Sequence, residues 1–135
     1  YWEAIEYDGK SFPEGYPEYY TDKMERVRSK GEADIGTRLH TRDVLYLYEY
    51  PILLPKYGIV FPDFVVVNLR TRKIYLWEHL GMMDNEQYAR KAMKKIETYR
   101  ANGYYPGINL LLTHETRDHP LNIIDIDLII DLYLV

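Results

Sequence analysis

Two apolar runs joined by a four-residue link constrain this chain more than anything else in it. Residues 59–68 (IVFPDFVVVN) and 73–80 (KIYLWEHL) are rich in Val, Ile, Leu and aromatic side chains, as strands are. The link Leu69-Arg70-Thr71-Arg72 is short and polar enough for a hairpin, although it lacks an Asn-Gly signal. A symmetric link makes the numbers of opposed residues sum to 141, which sets Asp63 against Glu78. Side chains directly opposed on a sheet have Cβ atoms about 5 Å apart. Asp63 shares its face with Val65 and Val67, and Glu78 shares its face with Ile74, Leu76 and Leu80. Two carboxylates on an apolar face repel each other, and burial raises the cost. A divalent cation held by hard oxygen ligands resolves the conflict. Otherwise the face is solvated and the register differs.

The remaining pattern surrounds this hairpin with helices and two more strands. The sequence predicts a helix over 23–41, with Val27, Ile35 and Leu39 apolar and Gly31 and Gly36 against it. It predicts a strand over 44–54, a helix over 84–102 capped by Asp84 or Asn85 and closed by Gly103, and a strand over 108–113. In 122–135, Asp125, Asp127 and Asp131 alternate with Ile and Leu as in a strand, but the length and the Asn122 start favour a closing helix. The order α-β-β-β-α-β-α gives an α/β fold, a mixed central sheet flanked by helices. Residues 1–22, with Tyr1, Tyr7, Tyr16, Tyr19 and Tyr20 and punctuated by Pro13, Gly15 and Pro17, read as a Tyr-rich extension or linker to a domain at 23–135.

Composition narrows the class. A chain of 135 residues, 47% hydrophobic and 28% charged, buries a core without staples. With 17 basic and 21 acidic residues the net charge is −4, which argues against a strong nonspecific nucleic-acid binder, though not against an enzyme that grips phosphate locally. Zero Cys excludes disulfides and thiolate metal sites. The chain has no apolar run near the roughly 20 residues a membrane helix needs and no signal peptide, so a cytoplasmic location is expected. It opens at Tyr1 and not Met, so it is read as a piece of a longer protein.

Two further acids sit with apolar neighbours. Glu49 follows Leu45 and Leu47 on one strand face, and Glu32 lies with Ile35 and Leu39 at helical i, i+3, i+7 spacing. Each alone reads as a charge at the rim of an apolar face; four acids on four successive core-facing elements point to a site. On the long helix, Tyr88, Ala92, Lys95 and Tyr99 fall within a stripe of roughly 60°. Lys95 therefore lies on the inward side, Lys91 at its border and Lys94 toward solvent. An inward Lys either has a partner or snorkels to water. His40, His79, His114 and His119 lack zinc spacing, and His79 shares a face with Tyr75 and Trp77, where packing is the expected role. The Gly-rich phosphate loop and the Ser-His-Asp signature are both missing.

Pro62-Asp63 followed fifteen residues later by Glu78 resembles the PD-(D/E)xK nuclease superfamily, over roughly residues 26–135. Val27-Arg28-Ser29-Lys30-Gly31-Glu32 resembles its opening helix, and Tyr48-Glu49-Tyr50-Pro51, Pro62-Asp63-Phe64 and Trp77-Glu78-His79-Leu80-Gly81-Met82-Met83-Asp84 resemble an uncharacterised bacterial branch, as do Asn102-Gly103, Pro106-Gly107, and Thr113 with Glu115. The resemblance implies a restriction-endonuclease-like αβββαβ core and a Mg²⁺- or Mn²⁺-dependent nuclease acting on nucleic acid, with DNA expected over RNA. It implies Asp63 and Glu78 as metal ligands, aided by the His79 carbonyl, Glu32 at a second ion or its water, and Glu49 in a lesser orienting role. It also implies 5′-phosphate products, a longer chain with helicase-like neighbours in some members, and homodimers in many. One departure matters: the lysine of the acidic-x-Lys motif is Leu80 here. In some members that lysine has moved to the next helix, which makes Lys95 the natural replacement and Lys91 the second. Without such a lysine the fold is expected to survive as a silent docking module.

Overall fold

The structure, a computed structural model, describes residue 2 and residues 5–135. Its centre is a mixed four-stranded sheet in the order β3-β6-β7-β8: Tyr46–Tyr48, Phe64–Asn68, Lys73–Leu80 and Leu110–His114. The first three are antiparallel neighbours, and β8 runs parallel to β7. The β6–β7 register is Phe64↔Trp77 and Val65↔Leu76, the sum of 141 that the symmetric link demands. Asn68 builds the turn without an Asn-Gly pair. Its side-chain oxygen accepts from the backbone N–H of Arg70 and Thr71, and Arg72 takes the left-handed conformation, φ 63°.

Helices cover the two faces of the sheet. Helix α1 (Lys30–Thr41) and helix α3 (Ile123–Ile129, running on into a π-helical turn at Ile130–Leu134) pack on one face, around Tyr46, Tyr48, Phe64, Val66, Tyr75, Trp77 and Leu111. Helix α2 (Glu86–Ala101) covers the other, where Ala92 and Ile96 meet Leu80, and Tyr99 meets Val65, Leu76 and Leu110. Around the sheet the order is α-β-β-β-α-β-α, the mixed α/β architecture expected.

Three boundaries differ from the sequence reading. The run 44–54 is two strands, because Glu49 turns left-handed (φ 49°) ahead of Pro51; β4 (Ile52–Leu54) leaves the sheet and pairs with β5 (Gly58–Val60). The run 59–68 is likewise cut at Phe61-Pro62-Asp63, where Pro62 has no N–H for a ladder. Helix α1 starts at Lys30, not residue 23. Met24 is left-handed (φ 63°), Arg26–Val27 form β2 against Tyr19–Tyr20 (β1), and the Ser29 side chain caps the helix by accepting from the Glu32 N–H. The Tyr-rich start packs on the domain: Phe12 lies against the α1-side core, and the Tyr7 hydroxyl donates to the Tyr48 carbonyl at 2.6 Å. No helix among the described residues is long and apolar enough to cross a membrane.

Candidate functional site

The interruption at Pro62 leaves Asp63 one residue ahead of β6, opposite Glu78 near the end of β7. Backbone bonds lock the two acids across the gap. The Asp63 N–H donates to Glu78 Oε1 at 3.1 Å, and the His79 N–H donates to Asp63 Oδ2 at 2.7 Å. Lys95 reaches in from α2 and donates from Nζ to Glu78 Oε2 at 2.7 Å, while the Tyr99 hydroxyl, one helical turn on, donates to Glu78 Oε1 at 3.0 Å. Glu78 is thus 4% exposed and held by three donors. Asp63 Oδ1 is different: it has no donor among the described residues. The only buried side-chain polar atom there without a partner is Arg26 Nε, so Asp63 Oδ1 must reach solvent.

The electrostatics follow from burial. Desolvation pushes the Asp63 carboxyl well above the usual carboxylate range. The Glu78 and Glu32 charges push it further, against the pull of Lys95 and the His79 N–H. Desolvation also raises Glu32, which the Tyr48 hydroxyl partly offsets by donating to Oε1 at 2.6 Å. Burial opposes the charged form of Lys95, but Glu78 and Asp63 overcome it and raise its pKa, so the ammonium stays charged. Burial and the neighbouring acids hold Tyr48 and Tyr99 protonated, so both remain donors. Three acids share one lysine, and the crowding adds to burial in opposing the ionisation of Asp63 and Glu32.

Asp63, Glu78 and Lys95 therefore converge, and Glu32 joins from the start of α1, close enough for its charge to act on Asp63. Leu80 lies on the same face as Glu78 but packs with Ala92 and Ile96 under α2, so a hydrophobic contact stands at the position of the acidic-x-Lys lysine. Lys91 is exposed, away from this cluster. Glu49 is turned elsewhere: Arg28 grips its carboxylate through two bonds, one from Nη2 to Oε1 at 3.0 Å, and stacks on Phe12. Glu49 touches the site through its N–H, which donates to the Asp63 carbonyl at 3.0 Å, and through its charge, which adds to the rise of Glu32. The His79 ring points to the opposite face. It bonds Thr113 Oγ1 at 2.8 Å and Glu115 Oε1 at 2.9 Å against Gly31, so it is a structural link between β7, β8 and α1.

Sequence reasoning missed the hydroxyl roles of Tyr48 and Tyr99. Tyr99 stands on the same helical stripe as Lys95, which was the available signal; an aromatic ring there reads first as core. Tyr48 carried no signal toward Glu32.

The donor chemistry fits a divalent cation. Mg²⁺ takes one or two carboxylates and fills its shell with water and substrate phosphate oxygens. Asp63 and Glu78 supply two carboxylates, with Glu32 behind them. Among the described residues, no three His, Cys, Asp or Glu side chains converge into a ready-made ligand cage.

No family model matches this chain, and no solved structure matches it. It is similar to an uncharacterized protein of the archaeon Methanocaldococcus jannaschii, 37% identical over 81 residues. That stretch is 59% of this chain but 7% of the relative, so the chain spans a small part of a far longer protein.

Proposed function

We propose that this chain is a metal-dependent nuclease domain of a longer protein, hydrolysing phosphodiester bonds with DNA as the expected substrate and Mg²⁺ or Mn²⁺ as cofactor. The observation that carries the reading is the Asp63–Glu78–Lys95 cluster: a desolvated carboxyl with an open oxygen, a second carboxylate beside it and a charged lysine between helix and sheet. A divalent ion bound there supplies Lewis acidity and lowers the pKa of bound water. Asp63 and Glu78 hold the ion, fixed relative to each other by the Asp63 and His79 backbone N–H groups. Lys95 places its positive charge where negative charge develops on the phosphate or orients the attacking water. Tyr99 keeps Glu78 from rotating away, and Tyr48 does the same for Glu32. The resemblance at Pro62-Asp63 and Glu78 supports this reading, as does a relative far longer than this chain.

A second reading has its own observation. Both Glu78 oxygens already have protein donors, which suits a silent nuclease-fold module for nucleic-acid or protein docking. Calorimetric titration of Mn²⁺ and Mg²⁺ into wild type and Asp63→Ala separates the two, followed by cleavage assays on supercoiled, linear and single-stranded DNA and on RNA. Saturable binding and metal-dependent cleavage, both lost in Asp63→Ala, support the nuclease. Neither binding nor cleavage, with substrate present to complete the shell, supports the silent module.

A further inference from the structure

We infer that β8 is the seam of a twofold homodimer in which two copies of this chain pair their open sheet edges. The sheet ends at β8, which has a neighbour only in β7. Along a strand, the N–H and C=O of one residue point to one side and those of the next residue to the other. The Leu76 N–H donates to the Asn109 carbonyl and the Glu115 N–H to the Leu80 carbonyl, so the odd-numbered residues of β8 face β7. The even-numbered ones, Leu110, Leu112 and His114, face outward. Leu110 is closed by its own turn: its N–H donates to the Tyr105 carbonyl and its carbonyl accepts from Gly107. The backbone groups of Leu112 and His114 have no partner among the described residues. Leu110–His114 contains no Pro and no Lys, and its register with β7 is unbroken, so shortness is the guard this edge has.

A free pair at i and i+2 is complementary to itself. A twofold axis at Thr113 sets Leu112 against the second copy's His114 and His114 against its Leu112. Each antiparallel pair of this kind exchanges both backbone bonds, so all the open groups are satisfied at once. The closed turn at Leu110 limits the edge to this length, which suits a copy of itself better than a long foreign strand.

The side chains beside the edge agree. A groove of about 840 Å³ runs between β8 and α3, lined by Leu112, His114 and Leu128 among others. Ile124, Leu128 and Leu132, at i, i+4 and i+8 along α3 and its π-turn, are 74%, 54% and 66% exposed. The axis keeps each face of the sheet on the same side in both copies, so both α3 helices lie on one side of the joined sheet, with Leu128 in the groove beside the seam. Strand pairing alone falls short of the roughly 800 Å² per partner of a stable interface, and the α3 stripe supplies apolar area toward it. The inference does not depend on the nuclease reading.

Sedimentation equilibrium of the 135-residue chain, with hydrogen exchange read at single amides, tests it. At about 100 μM, well above the about 1 μM at which a moderately strong pair half-assembles, wild type should sediment at twice 16.2 kDa. The Leu112 and His114 amides should be protected in that dimer. His114→Pro removes an outward N–H that the intramolecular ladder does not use, at an edge position that tolerates Pro. Leu128→Lys puts a charge on the exposed stripe. Each should weaken the dimer about tenfold or more while leaving the monomer's circular dichroism unchanged. A wild-type monomer at that concentration overturns the inference. So does a dimer whose Leu112 and His114 amides exchange freely, or one that survives both substitutions.

Discussion

Lys95→Met removes the ammonium from Glu78 and keeps most of the apolar stem. Glu78 is 4% exposed, so its carboxylate loses a charged donor at 2.7 Å in a place water enters poorly. Removing one partner of a fully buried ion pair costs about 3–5 kcal/mol. Two features reduce that here. The Lys95 side chain is 39% exposed, so part of its charge was already solvated, and the Asp63 N–H and the Tyr99 hydroxyl remain on Oε1. A hydrogen bond to a charged group is worth about 1.5–3 kcal/mol, and solvent screening brings the expected loss to about 1–2 kcal/mol. For a domain of this size that is a fall in Tm of roughly 3–8 °C. The assay is thermal and urea unfolding of Lys95→Met, Glu78→Gln and the double variant without metal. The cycle should show coupling, because the neutral amide that Glu78→Gln introduces no longer needs the ammonium. Added Mn²⁺ should restore part of the loss in Lys95→Met, since a cation at Asp63 and Glu78 takes over the charge. Cleavage by Lys95→Met should fall by about 10²–10³ while metal binding persists. A Lys95→Met protein that melts with wild type, or that loses as much in the Glu78→Gln background as with Glu78 intact, refutes the reasoning.

Three other variants follow from the same geometry. Burial, with Glu78 and Glu32 behind it, raises Asp63 in the folded state, so folding favours its protonated form. In the metal-free protein, the Asp63 contribution to stability is therefore fully present below the ordinary Asp range and is lost as pH rises through the raised pKa. Asp63→Asn should flatten that decline and be the more stable protein at neutral pH, measured by urea midpoints across pH. Arg28→Met strands the buried Glu49 carboxylate and frees the Phe12 segment, and should cost about 3–5 kcal/mol in urea unfolding. Gly31→Ala drives a Cβ into His79 Nε2 and sets it 3.0 Å from Glu115 Oε1. It should cost about 1–3 kcal/mol and shift the His79 ring resonances in NMR.

The β6–β7 hairpin was legible because its register is arithmetic: a four-residue link and a period of two fix which residues oppose, and Asp63 and Glu78 follow. Lys95 was legible for a similar reason, since a 3.6-residue period fixes one face of α2. What stayed hidden depends on conformations that these residue types do not announce. Glu49 adopts φ 49° although Glu is no turn former. That one residue splits the strand, sends β4 into a side hairpin and swings the Glu49 carboxylate to Arg28. The sequence set four acids on four core-facing elements, and the turn removes one of them.

The acids that remain differ in what balances them, and this is where the chemistry concentrates. Glu49 has an arginine, and Glu78 has a lysine, a tyrosine and a backbone N–H. The Glu32 carboxylate has neutral donors in the Tyr48 and Ser29 hydroxyls. Asp63 has one backbone N–H and an oxygen open to solvent. Charge compensation thus decreases from Glu49 to Asp63, and burial and its acidic neighbours hold Asp63 well above its ordinary range. A fold that balanced its buried charges for stability alone would place its cations on the least compensated acid. Here the arginine goes to Glu49 and the lysine to Glu78, and the deficit is left on Asp63, which is where the proposed metal-dependent reading would put a divalent cation.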